Sequence, residues 1–211
     1  MYFRILSNDN SENLTYLLAD LDAREAILID PHGTDLQLLL ALLAERDLRL
    51  RWVLRTHHHD ALQPQEREQL LQLKAPLVQG DVLSKLGLTD GAALPFGNEV
   101  IRVLVTPGHT HHCLSFMWRD RLFCGDLLSV AACPLQPRPA VPESVWDSVT
   151  QRVFTLPDET LLFVAHEQRA RAVTTVLEQR RWHPLFATLT RDEFLTQMAS
   201  LPERIAIVSN V

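Results

Sequence analysis

The chain has 211 residues, 46% of them hydrophobic, enough for one sizeable core and a single domain spanning 1–211. A formal net charge of −6 without a Lys/Arg cluster argues against a nucleic-acid partner. The longest uninterrupted apolar run, residues 38–44, cannot cross a bilayer, and polar and charged residues arrive early, from Arg4 to Asp9, so no membrane association is expected and the protein reads as cytoplasmic.

The first third reads as short strands followed by a helix. Residues 2–6, 14–18 and 25–29 are strand-like, and Asp30-Pro31-His32-Gly33 breaks the run. Asp30, at a strand end, is expected to satisfy loop backbone donors. Thr34 is placed to cap a helix over 35–46, whose buried face would be Leu36, Leu39, Leu40 and Leu43. A strand over 50–56 leads straight into Thr56-His57-His58-His59, and a polar helix over 63–74 follows.

Further strands are expected at 76–78, 99–106, 113–118, 121–124 and 160–165. Pro134, Pro137, Pro139 and Pro142 stiffen a loop that can be neither central strand nor helix interior. Helices are expected at 143–154, 169–182 and 191–200, with Trp146, Phe154, Phe194 and Met198 on their core faces. Strands alternating with helices in both halves define an α/β layered domain. Cys113, Cys124 and Cys133 have no Cys-x-x-Cys spacing and are odd in number, so they read as buried reduced thiols and not as a disulfide or zinc framework.

Histidines concentrate in two short segments, each directly after a predicted strand. In extended backbone, residues i and i+2 face the same way, so His57 and His59 can converge on one ion while His58 and Asp60 point elsewhere. Thr106-Pro107-Gly108-His109-Thr110 brings another imidazole at a tight turn, Gly125-Asp126 sets a carboxylate just past a strand, and His166 does likewise. Ligands at several strand ends can be held rigidly around one open metal site, and this donor set suits zinc, iron or manganese.

These segments resemble the metallo-β-lactamase superfamily, whose pattern is Thr-His-x-His-x-Asp-His, a Gly-His-Thr turn, a Gly-Asp and a late His, here all in order. The resemblance implies an αββα sandwich, two central mixed sheets flanked by helices. It places metal ligands at His57, His59, His109, Asp126 and His166. The stretch from His166 to Pro184, with Thr190 to Pro202, Leu28 to Pro31 and Phe154 to Pro157, is similar to the persulfide dioxygenase branch. That likeness implies a single Fe(II) with His57, His109 and Asp126 as the catalytic ligand set, while with His59 added the donor types suit Zn(II) equally. It also implies a small thiol-derived substrate such as glutathione persulfide, oxidised to sulfite, and a possible homodimer.

The sequence departs from the family pattern at specific positions. The motif's Asp and His fall on Ala61 and Leu62, which have no ligand atom, so one ion is expected and not two. The branch's Cys-Gly-Arg-Thr-Asp-Phe stretch is replaced by residues 132–139, leaving Arg138 as the candidate substitute for its arginine, and an expected Asp-Tyr is Glu167-Gln168. His58, His111 and His112 match no ligand position and read as solvated or hydrogen-bonded, with extra ligation as the alternative. His32 and His183 read as turn or helix-end residues, and Cys133 as an inert thiol with persulfide handling as its alternative. Two rival functions fit the same residues: a glyoxalase II-like zinc hydrolase of thioesters or lactones, and a catalytically inactive ligand-binding or regulatory protein.

Overall fold

A computed structural model describes residues 1–7, 13–59, 64–129, 133, 135–168 and 171–202 of the chain. The first sheet contains β1 (Tyr2–Ser7), β2 (Leu14–Asp20), β3 (Glu25–Ile29), β4 (Arg49–Leu54) and β5 (Leu77–Val78), hydrogen-bonded in that order. Short connections make β1, β2 and β3 antiparallel. Helices α1 (Leu36–Glu45) and α2 (Pro64–Leu71) return the chain, so β4 runs parallel to β3 and β5 to β4.

The second sheet contains β6 (Ala93–Phe96), β7 (Glu99–Val105), β8 (Leu114–Trp118), β9 (Arg121–Gly125), β10 (Leu161–Gln168) and β11 (Arg171–Thr175), ordered β11-β10-β9-β8-β7-β6. Its pairs are antiparallel except β9 with β10, which are separated by α3 (Pro142–Asp147) and a π-helical continuation over Ser148–Val153. Helices α4 (Val176–Trp182) and α5 (Arg191–Ala199) complete the described chain.

Three apolar layers hold the sheets and helices together. The inner faces of the two sheets meet through Tyr16, Ile27, Ile29, Phe96, Phe116 and Phe123. Leu36, Leu39, Leu42 and Leu43 of α1 cover the outer face of the first sheet. Val145, Val149, Phe194 and Met198 cover that of the second. Full burial of each such side chain contributes roughly 1.5–3 kcal/mol, so these layers outweigh the exposed ion pairs. The result is two mixed sheets between helices, as the sequence implied.

Strand direction then sets the position of the site. β7, β9 and β10 share one direction in the second sheet, as do β3 and β4 in the first. The segments leaving their C-terminal ends carry Asp30, Thr56 to His59, His109 and Asp126. Ligands gather outside such carboxyl ends in open α/β sheets for the same reason.

Several local expectations need correction. Residues 171–175 form β11 and not the first half of a helix; Val173, Thr174 and Thr175 are β-branched, the strand pairs with β10, and Thr175 then caps α4 by accepting from Glu178 N. Thr34 does not cap α1: Gly33–Asp35 form a 3-10 turn, and the Thr34 hydroxyl lies 3.2 Å from His32 Nδ1. The α1 face buries Leu42 more deeply than Leu40. β6 was not expected from the sequence; its Pro95 is tolerated because the strand is at the sheet edge. Among the described residues no helix is long and apolar enough to cross a membrane.

Candidate metal centre

The chain leaves β4 at Leu54 and turns under the control of Asp30, which accepts hydrogen bonds from Thr56 N at 2.7 Å and Thr56 Oγ1 at 2.8 Å. Because the Thr56 hydroxyl proton is committed to Asp30, its oxygen accepts from His57 Nδ1 at 3.0 Å. This relay leaves His57 Nε2 unprotonated and facing the site. Asp30 thus satisfies loop donors, as its strand-end position suggested.

His59 is fixed from the opposite side. Its Nδ1 lies 3.2 Å from Gln136 Oε1, while Gln136 Nε2 donates to the His109 carbonyl at 2.5 Å. One amide orientation serves both contacts, so His59 Nδ1 is the donor and Nε2, 3.5 Å from Cys133 Sγ, is the unprotonated nitrogen. The same loop clamps the His109 turn through Ala140 N to His109 O and Val141 N to Gly108 O, at 3.0 and 2.9 Å. His109 has 0% exposure, and neither ring nitrogen has a hydrogen-bond partner.

Asp126 follows Gly125 at the end of β9 and is 2% exposed. Its Oδ1 accepts from His166 Nδ1 at 2.7 Å and from Ser129 Oγ at 3.4 Å. Its Oδ2 has no hydrogen-bond partner and lies 3.5 Å from His57 Nε2. The rings of His57, His59 and His109 form a near-equilateral triangle, with centroids 5.0 to 5.2 Å apart. Ligand atoms of these three residues and Asp126 all lie within 4.8 Å of one another.

That geometry fits a cation. A carboxylate oxygen and an unprotonated imidazole nitrogen repel each other, and burial without a partner costs each group about 1–3 kcal/mol. An ion between them removes both penalties. Bonds of about 2.0–2.3 Å place the ligand atoms of a tetrahedral site about 3.3–3.8 Å apart, a range that includes the 3.5 Å between His57 Nε2 and Asp126 Oδ2. The sequence-selected residues His57, His59, His109 and Asp126 are thus brought together, while His166 stands one step out, against Asp126. Asp60, Ala61 and Leu62 lie outside the described residues.

Burial keeps the imidazoles neutral and ready to ligate: it pushes His57 well below its usual range, lowers His59, and takes His109 down to about 4. Burial alone would raise Asp126, but the neighbouring His57 and the His166 hydrogen bond prevail and hold it ionised. For the imidazoles the sign of the pH dependence follows directly. The unfolded chain protonates them as pH falls through about 6.5, whereas the folded protein resists, so stability present above 6.5 is lost in acid. His109 alone is expected to cost the metal-free protein about 3 kcal/mol by pH 4. Urea midpoints that stay flat from pH 7 to pH 4 would contradict this.

Beside the cluster lies a cavity of about 350 Å³, lined by Leu14, Arg55, His57, His59, Leu135 and His166 among others. Arg55 is ion-paired with Glu66 at 3.1 Å. His32 and His58 also line the cavity; Arg138 is half-buried and does not. His111 and His112 are exposed and stand outside the ligand group found among the described residues. His183 ends α4, as expected, but is buried; its ring nitrogen Nε2 lies 2.8 Å from Leu128 O, bracing the segment after Asp126. Gln136 carried no sequence signal and His183 only that of a helix end, because their contacts cross 77 and 55 positions.

A two-sheet sandwich with imidazoles and a carboxylate at the strand ends of one edge is the metallo-β-lactamase arrangement. No protein-family model matches the chain. Persulfide dioxygenase ETHE1, mitochondrial, of Bos taurus is 34% identical over 198 residues, covering 89% of this chain and 76% of that protein. Hydroxyacylglutathione hydrolase of Vibrio parahaemolyticus is 30% identical over 183 residues, covering 79% and 66%. The crystal structure of ETHE1 from Myxococcus xanthus superposes with a TM-score of 0.83 at 34% identity, covering 96% of this chain and 92% of that one. The chain belongs to the ETHE1 persulfide dioxygenase family of the metallo-β-lactamase superfamily.

Proposed function

We propose that this chain, as one domain, is a mononuclear metalloenzyme that oxidises glutathione persulfide, with one Fe(II) held by His57, His59, His109 and Asp126. The observation that carries this reading is the sealed pair of unsatisfied groups, the His109 imidazole and Asp126 Oδ2, beside the triangle of rings. A second ion has little to hold it, since Ala61 and Leu62 offer no donor.

Ferrous iron at such a site supplies the redox chemistry through which dioxygen reacts with persulfide sulfur. The reaction balances with one dioxygen and one water per persulfide: the S–S bond breaks, the outer sulfur gives up four electrons to become sulfite, and the inner sulfur leaves as the thiol. The protein's part is binding and positioning. Leu14 and Leu135 give the cavity apolar walls, and Arg55 and Glu66 line it as an ion pair that supplies polar contacts for a glutathione-derived substrate. His166 holds a proton at Asp126 Oδ1 and thereby turns Oδ2 toward the imidazoles. The neighbouring imidazoles stay neutral, so the site keeps its charge for an anionic sulfur.

The test is oxygen uptake by the iron-loaded protein with glutathione persulfide, with sulfite counted per dioxygen. One sulfite per dioxygen is expected. Zinc-dependent thioester hydrolysis without oxygen uptake would establish the hydrolase reading in its place. Failure to bind any ion would favour the inactive ligand-binding scaffold.

A further inference from the structure

Arg55 directly follows β4 and Glu66 sits in the first turn of α2, and both line the cavity beside the ligand group. Their side chains are each 12% exposed, and Arg55 Nη2 donates to Glu66 Oε2 at 3.1 Å. That contact uses one of the five N–H donors of the guanidinium and one of the two carboxylate oxygens. Among the described residues neither side chain makes a further hydrogen bond, and none of their unpaired polar atoms is sealed from solvent. A guanidinium edge and a carboxylate oxygen therefore stay open next to each other. Among the described residues Arg55 is the one Lys or Arg lining this cavity, and the other lining carboxylate, Asp30, is committed to Thr56. An ion pair so little exposed returns little net stability, because desolvation offsets its Coulomb gain. Arg55 precedes the ligand His57 by two residues, so their Cα atoms lie within about 7 Å, comparable with the length of the γ-glutamyl arm of glutathione.

We infer that Arg55 and Glu66 together form the subsite for the α-amino-acid end of the substrate, the γ-glutamyl carbon that carries both a carboxylate and an ammonium. The carboxylate takes the open guanidinium edge and the ammonium takes the open oxygen of Glu66, so the ion pair need not break. The inference rests on the glutathione-derived substrate proposed above and fixes which end of it the cavity holds. The two charges select in a way that neither does alone. A lone carboxylate gains Arg55 but meets the repulsion of Glu66, and a lone ammonium meets the reverse. A group with both on one carbon gains both contacts and leaves the net charge of the subsite unchanged. Thiols that end in phosphate or in a single carboxylate are thereby disfavoured.

S-Methylglutathione is the probe, because its blocked sulfur reads the subsite without any redox step. Its partner is the deaminated analogue, with glutaryl in place of γ-glutamyl, which keeps the carboxylate and lacks the ammonium. In binding titrations the wild-type protein is expected to prefer S-methylglutathione by about tenfold or more, the scale of one charge-assisted hydrogen bond. Glu66→Gln is expected to lose that preference, and Arg55→Gln to weaken both compounds by about tenfold or more. Equal affinity of the wild type for the two compounds, or no binding of S-methylglutathione, would overturn the subsite, and neither outcome depends on a variant that folds. A preference retained in folded Glu66→Gln would also overturn it. Oxygen uptake with glutathione persulfide is scored separately: its absence beside a preserved tenfold preference would sink the dioxygenase reading and leave the subsite standing.

Discussion

Replacing His109 by alanine is expected to abolish metal-dependent activity, with a loss of about 10³-fold or more, equivalent to about 4 kcal/mol. His109 is fully buried and both its ring nitrogens lack a partner, so the imidazole has no structural hydrogen bond to lose. In the metal-free protein two effects oppose each other. Truncation leaves a cavity, while removing an unsatisfied buried polar group relieves a desolvation cost of about 1–3 kcal/mol. The net change in metal-free stability is therefore expected to stay within about 1 kcal/mol. The contrast appears on adding metal: an ion at 100 times its Kd stabilises the wild type by about 2.7 kcal/mol, and the variant is expected to gain little of this. Thermal melts with and without metal, on both proteins, make the comparison. An equal rise in Tm for both would remove His109 from the ligand set.

Legibility in the sequence followed the range of the interactions involved. The His57/His59 pair was readable because strand alternation is local, and His109 and Asp126 because each sits in a short turn motif directly after a strand. Layering was readable from the alternation of strand and helix patterns. The helix expected at 169–182 failed because β11 is stabilised by pairing with β10, a tertiary gain that overrides its weak helical pattern. Thr56 was visible as part of a motif, but its relay to Asp30 crosses 26 positions. Gln136 lies 77 positions from the histidine it orients. Such second partners have no periodicity to betray them, yet they decide which nitrogen faces the ion.

The turn glycines give the second large effect. Gly125 has φ of +58°, a conformation that costs alanine about 1–2 kcal/mol, and a Cβ there would strike Thr56 Oγ1 and lie 2.7 Å from Thr56 Cβ and 3.3 Å from His57 Nδ1. Gly125→Ala would therefore push directly on the relay that presents His57 Nε2. Gly108 is more constrained still, with φ of +140°, and a Cβ there would meet the backbone nitrogen of Val145 and lie 2.7 Å from its Cα. No side-chain rotation relieves a clash with backbone. Gly108→Ala is expected to cost about 4 kcal/mol or more, strain and overpacking together, lowering Tm by about 10 °C in a chain of this size. Gly125→Ala is expected to cost about 3 kcal/mol in stability, and also to weaken metal binding by about 10-fold or more, because the displaced Thr56 no longer fixes the His57 ring. Val145 belongs to α3 and not to the ligand set, so Gly108→Ala should lose relatively more stability and Gly125→Ala relatively more metal affinity. Metal titrations alongside thermal melts separate the two. Unchanged affinity in a folded Gly125→Ala protein would show that the Thr56 relay does not set the orientation of His57.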